Sequence, residues 1–465
     1  MKNDIYRKNV SLACVLFLMA QKLQVDISYK QILKIAMPIG LALLVPQFNF
    51  IINNIFLGHL SEEALATGSI TGVYYLIFAG IGFGLNNGLQ SLISRRAGEN
   101  RPDEIGKIFN QGILISLAIA LFGIFFTWFI APSIFRSSIH SEQVYTDVVK
   151  FLRIRIFGLP FLYIYQMRNA LLVGINQSKL LVIGTLAEAV ANVVFDYALI
   201  FGHFGLPQMG FNGAAVASVI AEFIGMFVIF LVIQSRGISQ RFSLFKKFSF
   251  DTYYAKLILS ISGPLAFQHA ISIISWFFFY VLVEHHGQTS LAVSNSMRNI
   301  FGFFGSFIWA FSSTTNSMVS NVIGQGKKEE VIALITKIMF LSSTVALMVC
   351  LFLNVFPGTF LSIYGQGDDF TELGVPVLRV VALAMLFMSV GTIWLNAVTG
   401  TGNGKVTFLI ELAAISFYCV YVYVVLELQK LSIVWGWLSE LLYWSVLFSL
   451  SFIYIKSKRW HKTVI

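Results

Sequence analysis

Charge is what this sequence has least of. Only 12% of its 465 residues are Asp, Glu, Lys or Arg, against about 25% in a typical soluble domain. With 57% hydrophobic residues and a mean hydropathy of +0.77, the chain cannot cover itself with a water-facing surface. Cysteine is scarce too. Cys14, Cys350 and Cys419 stand apart in apolar stretches with no Cys-x-x-Cys spacing, so neither a disulfide framework nor a zinc site is indicated. The seven histidines show no metal-ligand spacing beyond the adjacent His285 and His286, and there is no phosphate loop and no Ser/His/Asp constellation. The sequence therefore predicts no enzyme, no bound cofactor and no ATP coupling.

What the chain does have is apolar runs of about 20 residues, each long enough to cross a hydrocarbon core as a helix. Twelve recur, at about 31–57, 64–93, 108–131, 149–173, 180–202, 212–234, 256–283, 290–322, 331–356, 375–398, 406–428 and 433–455. This predicts an all-α polytopic membrane protein whose main partner is the lipid bilayer. A net charge of +10 could suggest a nucleic-acid partner, but the basic residues fall on alternate loops. One side holds Arg95, Arg96, Arg101, Lys107, Lys179, Arg236, Lys327, Lys328 and Lys405, with the basic ends of the chain. The other holds Arg136 and Lys430, with Lys150, Arg153 and Arg155 near its boundary as a minor exception. That asymmetry is the positive-inside pattern. It predicts a cell (inner) membrane protein with both termini cytoplasmic, and no nucleic acid. The first residues, "MKNDIYRKNVSLACVLFLMA", are too short in their apolar part to span and lack a clear cleavage site; they read as an interfacial or poorly ordered extension.

The chain repeats itself with a period of 226. Lys30, Ile32, Leu33, Ile35 and Pro38 recur as Lys256, Ile258, Leu259, Ile261 and Pro264; His59 recurs as His285; Ser91, Ser94 and Gly98 recur as Ser317, Ser320 and Gly324. One offset holds through the loops, where hydrophobicity alone would not keep register. Each half has six spans, an even number, so the halves enter the membrane the same way round. The expected architecture is twelve transmembrane helices in two parallel six-helix bundles related by pseudo-two-fold symmetry. The divisions are 1–30 as N-terminal extension, 31–235 and 256–455 as the lobes, 236–255 as a cytoplasmic linker and 456–465 as a basic tail. Pro38 and Pro264 are placed to bend the first helix of each lobe, and "FAGIGFGLNNG" at 78 allows close helix approach.

Acids inside the spans need an explanation, because a charged side chain at mid-bilayer costs roughly 2.5–3.5 kcal/mol on insertion scales. Glu188, Asn192 and Asp196 are four residues apart on the fifth span and share one helical face; Ser218 and Glu222 repeat that spacing on the sixth. At the positions of Asn192 and Asp196 the second half has Tyr418 and Val422, so this acid is missing there. Glu411 and Glu440 sit close to span ends, where they can reach water, and read as structural or interfacial residues. Desolvation favours the neutral form of a carboxyl, which suits it to proton loading and release. Gln268 and His269 are the polar residues near the inner half of the seventh span and are candidates for the substrate cavity, with Glu222.

The stretches "NNIFLGHLSEEALA" at 53, "SRRAGENRPDEI", "GQGKKEEV", "NVVFDYALIFG" and "GFNGAAVASVIAE" at 210, in this order over residues 31–455, resemble the MATE (multidrug and toxic compound extrusion) family. The resemblance implies an antiporter, a monomer that rocks between inward-open and outward-open states. It would expel lipophilic, often cationic, small molecules against H+ or Na+. It also implies a cation site at Asp196 and Asn192, with Na+ the one metal ion they could hold, and places Ser218 where members often carry threonine. Asn53 stands where many members have an aspartate; this change removes a like charge and adds a donor, which favours ionised Asp196 and leaves Glu188 a share of the coupling. The related alternative is a flippase for lipid-linked saccharides, whose cavity needs cationic side chains for pyrophosphate; only Arg168 and Arg298 lie within spans to supply them.

Overall fold

The computed structural model describes residues 22–139, 141–246, 249–362, 364–365 and 367–463, which leaves Cys14 and most of the N-terminal extension outside. Its long elements are all helices: α1 (Tyr29–Leu60), α2 (Glu62–Gly98), α3 (Pro102–Ser138), α4 (142–174), α5 (Leu181–Phe201), α6 (Phe211–Ser235), α7 (Thr252–Glu284), α8 (Gln288–Gly324), α9 (Val331–Val355), α10 (Asp368–Gly400), α11 (Gly404–Leu428) and α12 (Ile433–Lys456). Local chemistry sets their starts. Ser28, Ser61, Ser141, Asp251 and Asn403 each accept a backbone N–H from the first turn of the helix that follows, which satisfies a donor that has no intrahelical partner. Helix α5 stops at Gly202, whose φ of +79° suits a residue without Cβ.

Ten of these helices are long and apolar enough to cross a membrane. The two that fall short are instructive. Helix α4 carries Lys150, Arg153 and Arg155 and is broken by a tight turn at Ile156–Gly158. Helix α8 is lined with buried Ser306, Ser312, Thr315, Asn316, Ser317 and Asn321, because much of its surface faces protein and not lipid. Large side chains such as Leu121, Phe129, Phe267, Phe340 and Val420 stay more than half exposed and form the lipid-facing belt. Cys350 and Cys419 are half-buried free thiols.

The duplication is visible in the element boundaries. Helices α2 and α8 are both 37 residues long, and each starts and ends 226 residues from its counterpart. In the first lobe α5 packs on α1 and α6, and α4 on α2 and α3; in the second, α11 packs on α7 and α12, and α10 on α8, α9 and α12. The lobes meet through α1, α2, α7 and α8, the first two helices of each. Near the basic end the seam obeys the pseudo-dyad side chain by side chain. Ser94 bonds Ser317 at 2.8 Å and Ser91 bonds Ser320 at 3.4 Å, each pair being the image of the other. A Cβ on Gly98 would lie 2.0 Å from the Asn321 carbonyl oxygen, and one on Gly324 would lie 2.3 Å from that of Arg95. Such self-complementary contact is what a two-fold relation requires.

The glycine-dense stretch of α2 does what its composition suggests. A Cβ on Gly84 would sit 2.5 Å from the backbone of Ala266, and one on Gly88 would sit 2.1 Å from Ser262 Oγ, so α2 and α7 touch backbone to backbone. Gly84→Val should therefore force the lobes apart here at an overpacking cost of about 1–3 kcal/mol, read as a lower melting temperature in detergent; an unchanged melt would mean that this seam is loose. Farther along α2 the space around Gly72 is open, with no atom within 4 Å of a Cβ placed there. Pro38 and Pro264 lie inside the unbroken α1 and α7, and Pro46 is a second proline in α1.

Candidate functional site

The site begins with the periodicity of α5. Asn192 and Asp196 point inward, 4% and 1% exposed, while Val190 and Val194, each two residues earlier, are turned out. Facing them is α1, where Asn49 and Asn53 are also one turn apart. Asn192 Oδ1 accepts from Asn49 Nδ2 at 2.6 Å and from Asn53 Nδ2 at 3.3 Å. Both carboxylate oxygens of Asp196 are buried and receive no donor from the protein; the side-chain oxygens of Asn49 and Asn53 are likewise without a partner. Buried polar atoms in native structures nearly always have partners. A carboxylate and two amide oxygens left as acceptors are the kinds of ligand a hard cation takes. The carboxylate can alternatively be met by a proton.

Glu188, two turns before Asp196, is half-buried against α6, where Gly225 makes room for it: a Cβ there would come within 2.9 Å of Glu188 Cβ. Ser218 is half-buried on α6. Glu222 belongs to a different arrangement. Arg155 grips it with two hydrogen bonds, 2.8 Å and 2.6 Å, and Tyr75 donates to the same carboxylate at 3.0 Å. The guanidinium also lies over the Tyr75 ring, 3.7 Å from its centroid. The break at Ile156–Gly158 turns α4 at this point, and Gly158 must lack a side chain, since a Cβ would lie 2.0 Å from Glu222 Oε2. Glu222 is thus one end of a buried ion pair.

The remaining cavity candidates separate. His269 stands at the seam, 3.3 Å from Asn87 Nδ2 and edge-on to Phe83. Gln268 is buried, with its Oε1 unpartnered, and its amide interacts with Glu411 inside the second lobe. Glu411 and Glu440 are not the water-reaching residues their sequence positions suggested. They are 4% and 3% exposed; Glu411 accepts from Ser272 at 2.9 Å and from Tyr443, and Glu440 from Trp444 at 3.0 Å. The reason is packing: α11 and α12 bury these faces against each other and, for α11, against α7. Of the arginines within spans, Arg168 donates to the Met226 carbonyl and Arg298 is exposed. Among the described residues no group of three or more His, Cys, Asp and Glu side chains could hold a metal ion.

Sequence reasoning missed Asn49 and the role of Arg155. A signal existed for the first, since "NFIINN" sets Asn49 and Asn53 four apart in an apolar helix. Arg155 read as a topological exception because its partner lies 67 residues away.

Comparison with known proteins agrees with this architecture. The profile of the MatE family matches residues 38–198 and again 264–424, two segments offset by the same 226 residues as the internal repeat. The "Probable multidrug resistance protein NorM" of Thermotoga maritima is 22% identical over 446 residues, 94% of each chain; its namesake from Synechocystis sp. is 25% identical over 207 residues, 44% of each. A solved MATE in complex with MaL6 superposes with a TM-score of 0.86 at 17% identity, covering 95% of this chain and 99% of that one. An outward-facing multidrug resistance MATE family transporter of the MOP superfamily gives 0.86 at 18% identity, covering 95% and 98%. With two profile matches that together span most of its length and fall on its two six-helix lobes, this multi-pass membrane protein belongs to the MatE family of multidrug efflux transporters, and it is a transporter rather than an enzyme.

Proposed function

We propose that this chain is a cation-coupled antiporter that exports lipophilic, cationic small molecules by alternating access between its lobes, with Asp196 as the coupling acid. The observation that carries the reading is the buried Asp196 carboxylate, which has no donor from the protein and sits beside the Asn49, Asn53 and Asn192 cluster. An ionised carboxylate left like this is costly in low dielectric. Loading H+ or Na+ removes the cost and releasing the ion restores it, so the state of one side chain can bias the whole rearrangement. Asn192 and Asn53 would hold the ion with Asp196, Glu188 and Ser218 would lie along the path deeper in the lobe, and His269 at the seam would meet the substrate. The basic end would face the cytoplasm, following the loop charges, and the chain would work as a monomer in the inner membrane.

The test is efflux of a cationic dye from proteoliposomes under pH and sodium gradients imposed separately. At least one gradient should drive efflux above the rate of protein-free liposomes, and its identity names the coupling ion. Efflux indifferent to both gradients would overturn the proposal. Lipid flipping draws no support from the interior, because Arg155 and Arg168 are both engaged within the first lobe.

A further inference from the structure

The residues just before α1 are not a loose lead-in. Segment 22–28 runs across the basic end of the molecule with Leu23 and Val25 5% and 3% exposed, while Lys22, Gln24 and Asp26, which alternate with them, face out. Its backbone is bonded to both lobes. The carbonyl of Leu23 accepts from Asn176 Nδ2 of the first lobe at 2.8 Å and from Asn321 Nδ2 of the second at 3.0 Å. Val25 donates its N–H to Asn321 Oδ1 at 3.1 Å and accepts from Gln325 Nε2 at 2.9 Å. Gln24 Nε2 reaches the Gly98 carbonyl of the first lobe at 2.9 Å, and Lys337 Nζ of the second lobe donates to the Ile27 carbonyl at 2.9 Å.

The pseudo-dyad shows what this segment stands in for. Asn321 is the repeat counterpart of Arg95, and the turn at Asn176 is the counterpart of the turn at Gly402. On one side of the seam, Arg95 reaches from the first lobe directly onto that turn of the second, donating to the carbonyls of Gly400 and Thr401 at 3.2 Å each, and to that of Ser320 at 3.0 Å. On the other side, the repeat offers a short asparagine where the first lobe has an arginine. The crossing is made instead through the Leu23 carbonyl, which takes one amide from each lobe.

We propose, within the alternating access described above, that segment 22–28 is a strap that completes the gate at the basic end, the counterpart of the Arg95 bolt, and that it must let go of the second lobe each time this end opens. The covalent geometry leaves no slack. Only residues 26–28 separate Val25 from the start of α1, and three residues extend to about 10 Å at most. While Leu23, Val25 and Ile27 hold Asn321, Gln325 and Lys337, the first lobe stays tied to the second through the unbroken chain into α1. Releasing those contacts frees it without unfolding any helix.

The experiment uses the full chain in nanodiscs, with Cys14, Cys350 and Cys419 changed to Ser and a single reporter, Ser94→Cys, at a position with no exposed surface. Modification by a small water-soluble maleimide measures how often the gate opens and requires neither substrate nor ion gradient, so its outcome is independent of coupling at Asp196. Gln325→Ala removes the amide that Val25 accepts from the second lobe, at a half-buried position. It should speed modification by about tenfold, equivalent to about 1.4 kcal/mol in the opening equilibrium, with the melting temperature unchanged. Lys337→Met, which removes the second-lobe donor to the Ile27 carbonyl, should act in the same direction and serves if the first variant folds poorly. Modification as slow in both variants as in the reporter alone would make the strap mere packing and overturn the proposal.

Discussion

Arg155→Met is expected to be the most damaging single substitution in the first lobe, lowering stability by about 3–5 kcal/mol, the cost typical of removing one partner from a buried ion pair. The size follows from what is left behind. Glu222 is 5% exposed and would keep only the Tyr75 hydroxyl, which can donate a hydrogen bond but brings no positive charge. Loss of yield and a steeply lower melting temperature in detergent would report it. The double variant Arg155→Met/Glu222→Leu should recover most of that loss, since replacing both charges by apolar groups of similar volume is often neutral. If Arg155→Met alone melts like the wild type, Glu222 is not held as an anion and the pair is not the structural tie described above.

Asp196→Asn should do the opposite to stability. The wild-type carboxylate is buried with no protein donor, whereas an amide there can donate to the Asn49 and Asn53 oxygens that lack partners. Satisfying buried polar groups is worth about 1–3 kcal/mol, so the variant should melt at or above the wild-type temperature. Transport should disappear all the same, because an amide neither takes up a proton nor offers an anionic oxygen. A residue that makes the protein less stable than its own replacement, yet is needed for activity, is the signature of a functional acid. A variant that melts lower by a similar amount would make Asp196 a packing residue.

Much of this was legible in the sequence, for identifiable reasons. The spans and their duplication were readable because hydrophobic length and a constant offset are properties of the chain itself; the 226-residue period reappears in the ends of α2 and α8. The inward face of Asn192 and Asp196 was readable because four-residue spacing fixes a helical face. Pairings across the fold were not. Arg155 with Glu222, Asn49 with Asn192 and Leu23 with Asn321 join residues up to 298 positions apart, and no local pattern specifies which faces meet. The burial of Glu411 and Glu440 was hidden for the same reason: position along a span says how far a residue lies from its end, not whether a neighbouring helix covers it. The strap is the extreme case, since nothing in "KLQVDIS" marks seven residues outside the spans as part of a gate.

Coupled transport, as proposed for this protein, turns on a single exchangeable charge in the first lobe. The most direct test compares wild type and Asp196→Asn in proteoliposomes, following efflux of a cationic dye while a pH gradient and a sodium gradient are applied one at a time. Wild type should respond to one of the two, and the folded, thermally stable variant should show no gradient-driven component at all. Wild-type rates from a well-folded Asp196→Asn under the same gradient would contradict a coupling role for Asp196.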